Sequence, residues 1–278
     1  DKLMMFGTPN EGAMDSLNSL INGYPIVADR KLPFIDDLRP EDVMSNPSSF
    51  QLLPHQNSAR FLDENLKPIS VDIYSIDTWI KYGWGAIADP KFLSKLKGAP
   101  QTGDVVQKAK MSASTSRRSF DDTLIEETTY SQVRSYFISA LARAKRFHAA
   151  LDAPSPRTPI RMFAYGGNCA ETLDAVVIVR DEKNNRWETI VEPMNFKGTG
   201  GKEVKKDAVK AAIYAIGDGR VTQRSLLSET SVNGGPVIEN IAFASSFFAC
   251  GTHTKLFLTQ PIQDSFLSTL VVEKAIQP

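Results

Sequence analysis

One stretch restricts what this chain can become more than any other. Gly217, Asp218 and Gly219 follow an apolar run, Ala211 to Ile216, and lead through Arg220 and Val221 into a predicted helix. The two glycines leave the backbone free to turn sharply, and the acidic side chain between them can point out of the turn. A carboxylate so placed can orient a histidine. His253 is the candidate, on a predicted loop after the last strand-like run and before the last helix. Taken singly, the acid reads as a tight turn and His253 as a surface histidine. Taken together, an acid after one strand and a histidine after the next point to an α/β protein with chemistry at its loops.

At 278 residues the chain can form one large domain or a core with an inserted subdomain, and the second reading is taken here. An apolar share of 42% and a charged share of 23% are those of a globular protein, which excludes general disorder, a collagen-like chain and a coiled coil. Lysine plus arginine balances aspartate plus glutamate at 32 each, so no global pull toward nucleic acid is expected. A lipid or another neutral substrate is unopposed. No apolar run approaches the ~20 residues that cross a bilayer. The opening residues, Asp1 to Phe6, lack a basic region, a long apolar region and a cleavage site, and read as the middle of a domain. Three histidines with no pair at ligand spacing predict neither metal nor cofactor.

Along the chain, Leu3 to Phe6 is a short strand that breaks at Gly7, and a helix with Met14, Leu17 and Ile21 on one face follows, stopped by Gly23. Asn46 before Pro47, and Asp89 before Pro90, are N-caps followed by proline at the first helical position. Between them Trp79, Tyr82 and Trp84 form an aromatic cluster, read either as a buried structural group or as the wall of an acyl site. Residues 100–127 are rich in Ser, Thr, Lys and Asp and read as a mobile surface segment. Thr129 with Gln132 forms a capping box for a helix to about Leu151 whose apolar stripe carries Val133, Phe137, Leu141, Ala144 and His148. His148 reads as a packed structural histidine.

Pro154, Pro156 and Pro159 mark a boundary, after which strands are expected from Ile160 to Tyr165, Asp174 to Val179 and Trp187 to Val191, with Asn184 and Asn185 as a turn. A further strand lies within Ile238 to Phe248. Pro261 starts a last helix, with Ile262, Phe266, Leu267 and Leu270 expected inward.

The chain resembles lipases of the lecithin:cholesterol acyltransferase family at several points in the family's order. Phe6, Gly7, Thr8, Pro9, Asn10, Glu11, Gly12 and Ala13, with Leu17, Leu20 and Gly23, look like the segment that follows the family's nucleophile helix. Asn46, Pro47, Ser48 with Leu52, Leu53, Pro54 resembles a cap motif, and Ile73, Tyr74 through Trp79 to Tyr82, Gly83, Trp84, Gly85 resembles the next. Gly217, Asp218, Gly219 with Val221 and Ser225 is similar to the acid motif; His253 with Leu256, Ile262, Gln263 and Leu270 is similar to the histidine motif and closing helix. The hairpin expected at 174–191 and the stretch 100–127 match no motif of the family.

The resemblance implies a partial α/β-hydrolase sheet with an inserted helical cap, the core formed by residues 1–12 and 156–278 and the cap by 13–155. It implies a lipid acyltransferase or lipase in which Asp218 is the triad acid and His253 the general base, and in which Trp79, Tyr82 and Trp84 shape the acyl site. Its partners would be a lipid or other ester substrate and a membrane surface or lipid particle, without nucleic acid and without a cofactor. The nucleophile elbow Gly-x-Ser-x-Gly occurs nowhere in the 278 residues, and the family places it ahead of the segment resembling Phe6 to Ala13. The chain is therefore expected to be the C-terminal portion of such an enzyme, inactive by itself. The reading from another class is a non-catalytic lipid- or protein-binding module on the same scaffold. Two cysteines, Cys169 and Cys250, each follow a strand that precedes a triad residue; they either bridge or stay as two buried thiols.

Overall fold

The computed structural model of the protein describes residues 1–25, 37–98, 129–153, 159–231, 237–239 and 241–271. The polar stretch 100–127 lies outside the described residues. The strands, in chain order, are β1 (Lys2–Phe6), β2 (Phe61–Leu62), β3 (Pro68–Ile69), β4 (Arg161–Gly167), β5 (Ala170–Leu173), β6 (Val176–Asp181) and β7 (Arg186–Ile190). They continue with β8 (Phe196–Lys197), β9 (Glu203–Val204), β10 (Tyr214–Gly217), β11 (Glu229–Ser231), β12 (Val237–Glu239) and β13 (Phe243–Ala249). With the helices between them they make a mixed α/β fold.

Three strands position the site. β4 lies between β1 and β13 and is parallel to both, with Phe6 opposite Tyr165 and Ala249 opposite Gly167. All three therefore end on one edge, where Gly7, Asn168 and Cys250 begin their loops. Alternation along β4 covers both faces of the sheet, as a parallel sheet requires. Phe163 and Tyr165 pack with Leu256 and Ile262 on one face. Ala164 packs with Val221 and Leu226 on the other. The last helix, Gln260–Val271, thus covers one face and the short helix Gln223–Leu227 the other.

Between β4 and β13 the chain makes a long excursion. It leaves at Gly167 along β5, forms the hairpin of β6 and β7 around Asn185, which takes φ +50°, and returns along β10, antiparallel to β5. The apolar run before Asp218 is half helix (Lys206–Ile213) and half β10. Asp218 accordingly follows a strand, as expected, but one outside the parallel sheet, and it reaches the sheet edge only because Gly167 lets it. A Cβ at Gly167 would stand 2.6 Å from Asp218 Cβ and 2.3 Å from the Gly251 carbonyl oxygen.

A second sheet, in the order β3-β2-β6-β7, pairs Phe61 with Val176 in parallel and so joins residues from both sides of position 155. Its apolar residues merge with the inner faces of helices Met14–Asn22, Ile76–Tyr82 and Tyr130–Leu151 in one large hydrophobic cluster. The local signals hold. Thr129 and Gln132 close their capping box, and Asn46 and Asp89 accept from the backbone N–H groups of Ser48 and Lys91, each just past a proline at the first helical position. Val133, Phe137, Leu141, Ala144 and His148 are all buried. The last helix departs from expectation: Ile262 is buried, whereas Leu267 and Leu270 are exposed together with Phe257 and Leu258. Ile262, Phe266 and Thr269 form the side that faces the sheet, with the Tyr165 hydroxyl donating to Thr269 Oγ1 at 2.9 Å, and Leu267 and Leu270 lie off that side.

Candidate functional site

Asp218 and His253 meet at the edge where β4 and β13 end. Nδ1 of His253 lies 2.8 Å from Asp218 Oδ2. A carboxylate only accepts, so Nδ1 donates, and in the neutral imidazole Nε2 keeps its lone pair. The other carboxylate oxygen, Oδ1, accepts from the backbone N–H groups of Arg220 at 2.9 Å and Val221 at 2.8 Å. The turn that provides them depends on Gly219, at φ +93°, whose N–H donates to Thr172 Oγ1 at 2.8 Å. The His253 loop is held in turn by its own N–H, which donates 2.8 Å to the Asp218 carbonyl. Asp218 is 2% exposed, while the His253 side chain is 36% exposed. A fully partnered acid thus fixes an imidazole whose far edge faces outward.

That edge borders a cavity of about 530 Å³ between the loop Gly7–Pro9, the first helix and the segment around Asn46. Gly7 forms part of its floor at φ +55°, and a side chain there would enter the Asp218–His253 pair. Sequence reading recognised Gly7 as a strand stop and as part of a motif; its contact with the pair was not legible, because a glycine in a turn gives the same signal whether or not anything lies against it.

Trp79, Tyr82 and Trp84 do not line this cavity. Trp79 and Trp84 are at 0% and 1% exposure inside the large core. Trp79 Nε1 donates to the Ile73 carbonyl at 2.7 Å and Trp84 Nε1 to Thr189 Oγ1 at 2.6 Å. Tyr82 lies tilted against Trp84 and edge-on to Trp187, and its hydroxyl accepts from the exposed Lys81. Both indole N–H groups are used internally, the arrangement of a structural aromatic cluster, which is the first of the two readings of this group.

Cys169 and Cys250 form a disulfide with Cα atoms 5.0 Å apart. Because β4 and β13 are neighbours, the bridge ties the start of the excursion that returns as Asp218 to the loop that carries His253. Two other features escaped the sequence. Arg220 crosses the cavity to Asp15, with Nη1 2.7 Å from Oδ2, and its guanidinium lies 4.6 Å over the Tyr24 ring. His55 and His148, far apart in the chain, stack with ring centres 4.2 Å apart. His148 Nε2 lies 2.9 Å from the Gln51 carbonyl and its Nδ1 2.6 Å from the Tyr74 hydroxyl, while His55 Nδ1 reaches Asp152 Oδ1 at 3.1 Å. Burial holds both imidazoles below the usual histidine range. Burial, then the Asp152 charge, pushes the Tyr74 phenol up to about 12, so it remains a donor to His148.

No protein-family model matches the sequence, and comparison with curated proteins gives no match. Among solved structures, a chain of a crystal structure described as the Tle4-Tli4 complex matches the whole of this chain with a TM-score of 0.53 at 10% sequence identity. The likeness is one of fold. The match takes in 55% of the neighbour, so this chain spans about half of its length.

Proposed function

We propose that this chain carries the acid and the general base of a serine-dependent ester hydrolase or acyltransferase built on an α/β-hydrolase sheet, as its resemblance to the lecithin:cholesterol acyltransferase family implies. The observation that carries the reading is the Asp218–His253 pair: a buried carboxylate with both oxygens partnered, an imidazole with Nδ1–H fixed, and Nε2 on the side of a cavity. In such a triad Nε2 takes the proton of a serine hydroxyl as its oxygen attacks an ester carbonyl. Nε2 then returns that proton to the leaving alcohol, and Asp218 stabilises the imidazolium formed between the two steps. Water or a second alcohol then releases the acyl group by the same path.

The serine and the oxyanion donors belong, in this reading, to polypeptide outside the chain. The outer edge of β1, which among the described residues pairs only with β4, offers a place for the strand that brings them. Exposed Phe257 and Leu267 beside Phe6 supply apolar surface for that segment to cover.

The test is to express the chain with the polypeptide encoded ahead of it and follow p-nitrophenyl ester cleavage. The completed protein should cleave, and Asp218→Asn should lower kcat by about 10⁴-fold, since it leaves the imidazole in the wrong tautomer. The chain by itself should not cleave, lacking both a nucleophile and oxyanion stabilisation worth roughly 3–4 kcal/mol. Cleavage by the isolated chain that survives His253→Ala would place the chemistry elsewhere. A preceding polypeptide without an elbow serine would favour the binding module.

A further inference from the structure

The cavity beside His253 has a charge arrangement that discriminates among esters. Among the described residues its wall holds two carboxylates, Asp15 and Asp42, and one basic side chain of permanent charge, Arg220. Each of these charges is already committed. Arg220 is paired with Asp15, and Asp42 accepts from Arg39 Nε at 3.1 Å and Nη2 at 3.3 Å. That pairing, with a second bond from the Arg39 backbone N–H, outweighs partial burial and holds the Asp42 carboxyl below its usual range. Arg220 and Asp15 are both about three-quarters covered, so their pair is shielded from bulk water.

Beside these ion pairs, neutral groups with unused hydrogen-bonding capacity face the cavity. The hydroxyls of Thr8, Ser16 and Ser49 face the same cavity and make no side-chain hydrogen bond among the described residues. Leu38 and Leu52 stand exposed at its wall. A phosphate or carboxylate entering here meets a guanidinium already shared with Asp15 and has two carboxylates beside it. An ammonium group must share Asp15 or Asp42 with its arginine. Each competes with an existing ion pair at a partly shielded site, which costs more than giving a hydroxyl a new hydrogen bond. A hydroxyl both donates and accepts, so it fits Thr8, Ser16 and Ser49 without disturbing either ion pair.

We propose that this cavity takes uncharged amphiphilic esters whose alcohol part carries further hydroxyls, the polyol-ester class, with the polyol against Thr8, Ser16 and Ser49 and the chain along Leu38 and Leu52. The proposal rests on the ester reading above for the bond that is broken; binding requires no chemistry and is tested separately.

The experiment is calorimetric titration of the intact chain with three eight-carbon probes held below their micelle concentrations: the glycerol monoester, octyl phosphate and octyltrimethylammonium. The glycerol ester should bind about tenfold or more tightly than either charged probe, since misplaced charge at a shielded site costs more than 1.4 kcal/mol. Asp15→Asn, which leaves Arg220 without its partner, should raise octyl phosphate affinity relative to the glycerol ester by about tenfold. Arg220→Gln, which leaves Asp15 unpaired, should do the same for octyltrimethylammonium. Circular dichroism checks that each variant folds, and either one suffices for the comparison. No binding of the glycerol ester, equal or tighter binding of a charged probe by the unaltered chain, or an unchanged order in the folded variants would overturn the proposal. Selective glycerol ester binding by a chain that never yields an active completed enzyme would defeat the ester reading and leave this cavity's preference standing.

Discussion

Gly7 touches Asp218 through the side chain it lacks: a Cβ at position 7 would stand 2.8 Å from Asp218 Oδ2 and 3.0 Å from His253 Nδ1. Both atoms of the hydrogen bond would have to move. Gly7→Ala also forces a non-glycine residue to φ +55°, a cost of about 1–3 kcal/mol. The expected result is a urea midpoint lowered by that amount and loss of the downfield Nδ1–H proton resonance of His253. A variant with unchanged stability and an intact resonance would show that the loop has more room than its contacts indicate.

The bridge between Cys169 and Cys250 closes a long loop whose ends are 81 positions apart. Cross-linking a loop of that size removes entropy from the unfolded chain worth roughly 2–4 kcal/mol in practice. Cys250→Ser should therefore lower the stability measured without reductant by that amount. Dithiothreitol should lower the unaltered protein to match it and leave the variant unmoved. Alkylation of the unreduced, denatured protein followed by mass measurement should find neither of these thiols.

The stacked histidines make stability depend on mild acid. His55 and His148 are 4% and 2% exposed, and desolvation lowers both below the value of 6.5 that they take when exposed. The unfolded chain then binds their protons more readily than the folded one. Their contribution is present above about pH 6.5 and is lost as pH falls toward the lower folded values. Asp152, beside His55, and each imidazole, beside the other, are the charges that face them; Tyr74 stays neutral. Glu11 works the other way near pH 4.5, because burial raises its carboxyl and protonation there favours the fold. Urea midpoints should fall between pH 7 and pH 5. His148→Gln, which keeps a donor for the Gln51 carbonyl, should flatten that slope, and a slope of unchanged steepness would remove the stack as its source.

Asp174, 3% exposed, joins the excursion to two other elements: it accepts from Arg60 just before β2 and from Arg224 Nη1 at 3.0 Å on the helix behind the acid loop. Asp174→Ala strands two guanidiniums that are about a third exposed and can turn to water. The cost should be about 1–3 kcal/mol, nearer that of a charged hydrogen bond than that of a fully buried ion pair. Thermal denaturation of the variant measures it, and a change below a few tenths of a kcal/mol would mean that water already shields the group.

Signals confined to one helical turn were legible in the sequence. Thr129 with Gln132, Asn46 with Pro47 and Asp89 with Pro90 each satisfy backbone groups within a few residues, so spacing alone reveals them. The Asp218–His253 pair was legible because glycines and strand order mark both loops. What was hidden depends on contacts between distant segments. β2 is two residues long and has no alternation to announce that Phe61 pairs with Val176. Leu267 and Leu270 are apolar residues of the last helix, but the side that meets the sheet is set by Ile262, Phe266 and Thr269, and apolar character alone does not say which side that is. The three aromatics announced bulk and apolar character, but the partner of the Trp84 indole N–H, Thr189, lies more than 100 positions away and gives no sign in the local sequence.

The parallel ladder between β2 and β6 bears on how the cavity beside His253 could open. If residues 13–153 swung outward as a rigid lid hinged near positions 12 and 159, the hydrogen bonds at Phe61 and Val176 would have to break, and the hydrophobic cluster that runs through both sides would be split open to water. That amounts to partial unfolding. Among the described residues, the first helix, anchored to the acid loop through Asp15 and Arg220, acts as a fixed doorpost rather than a door.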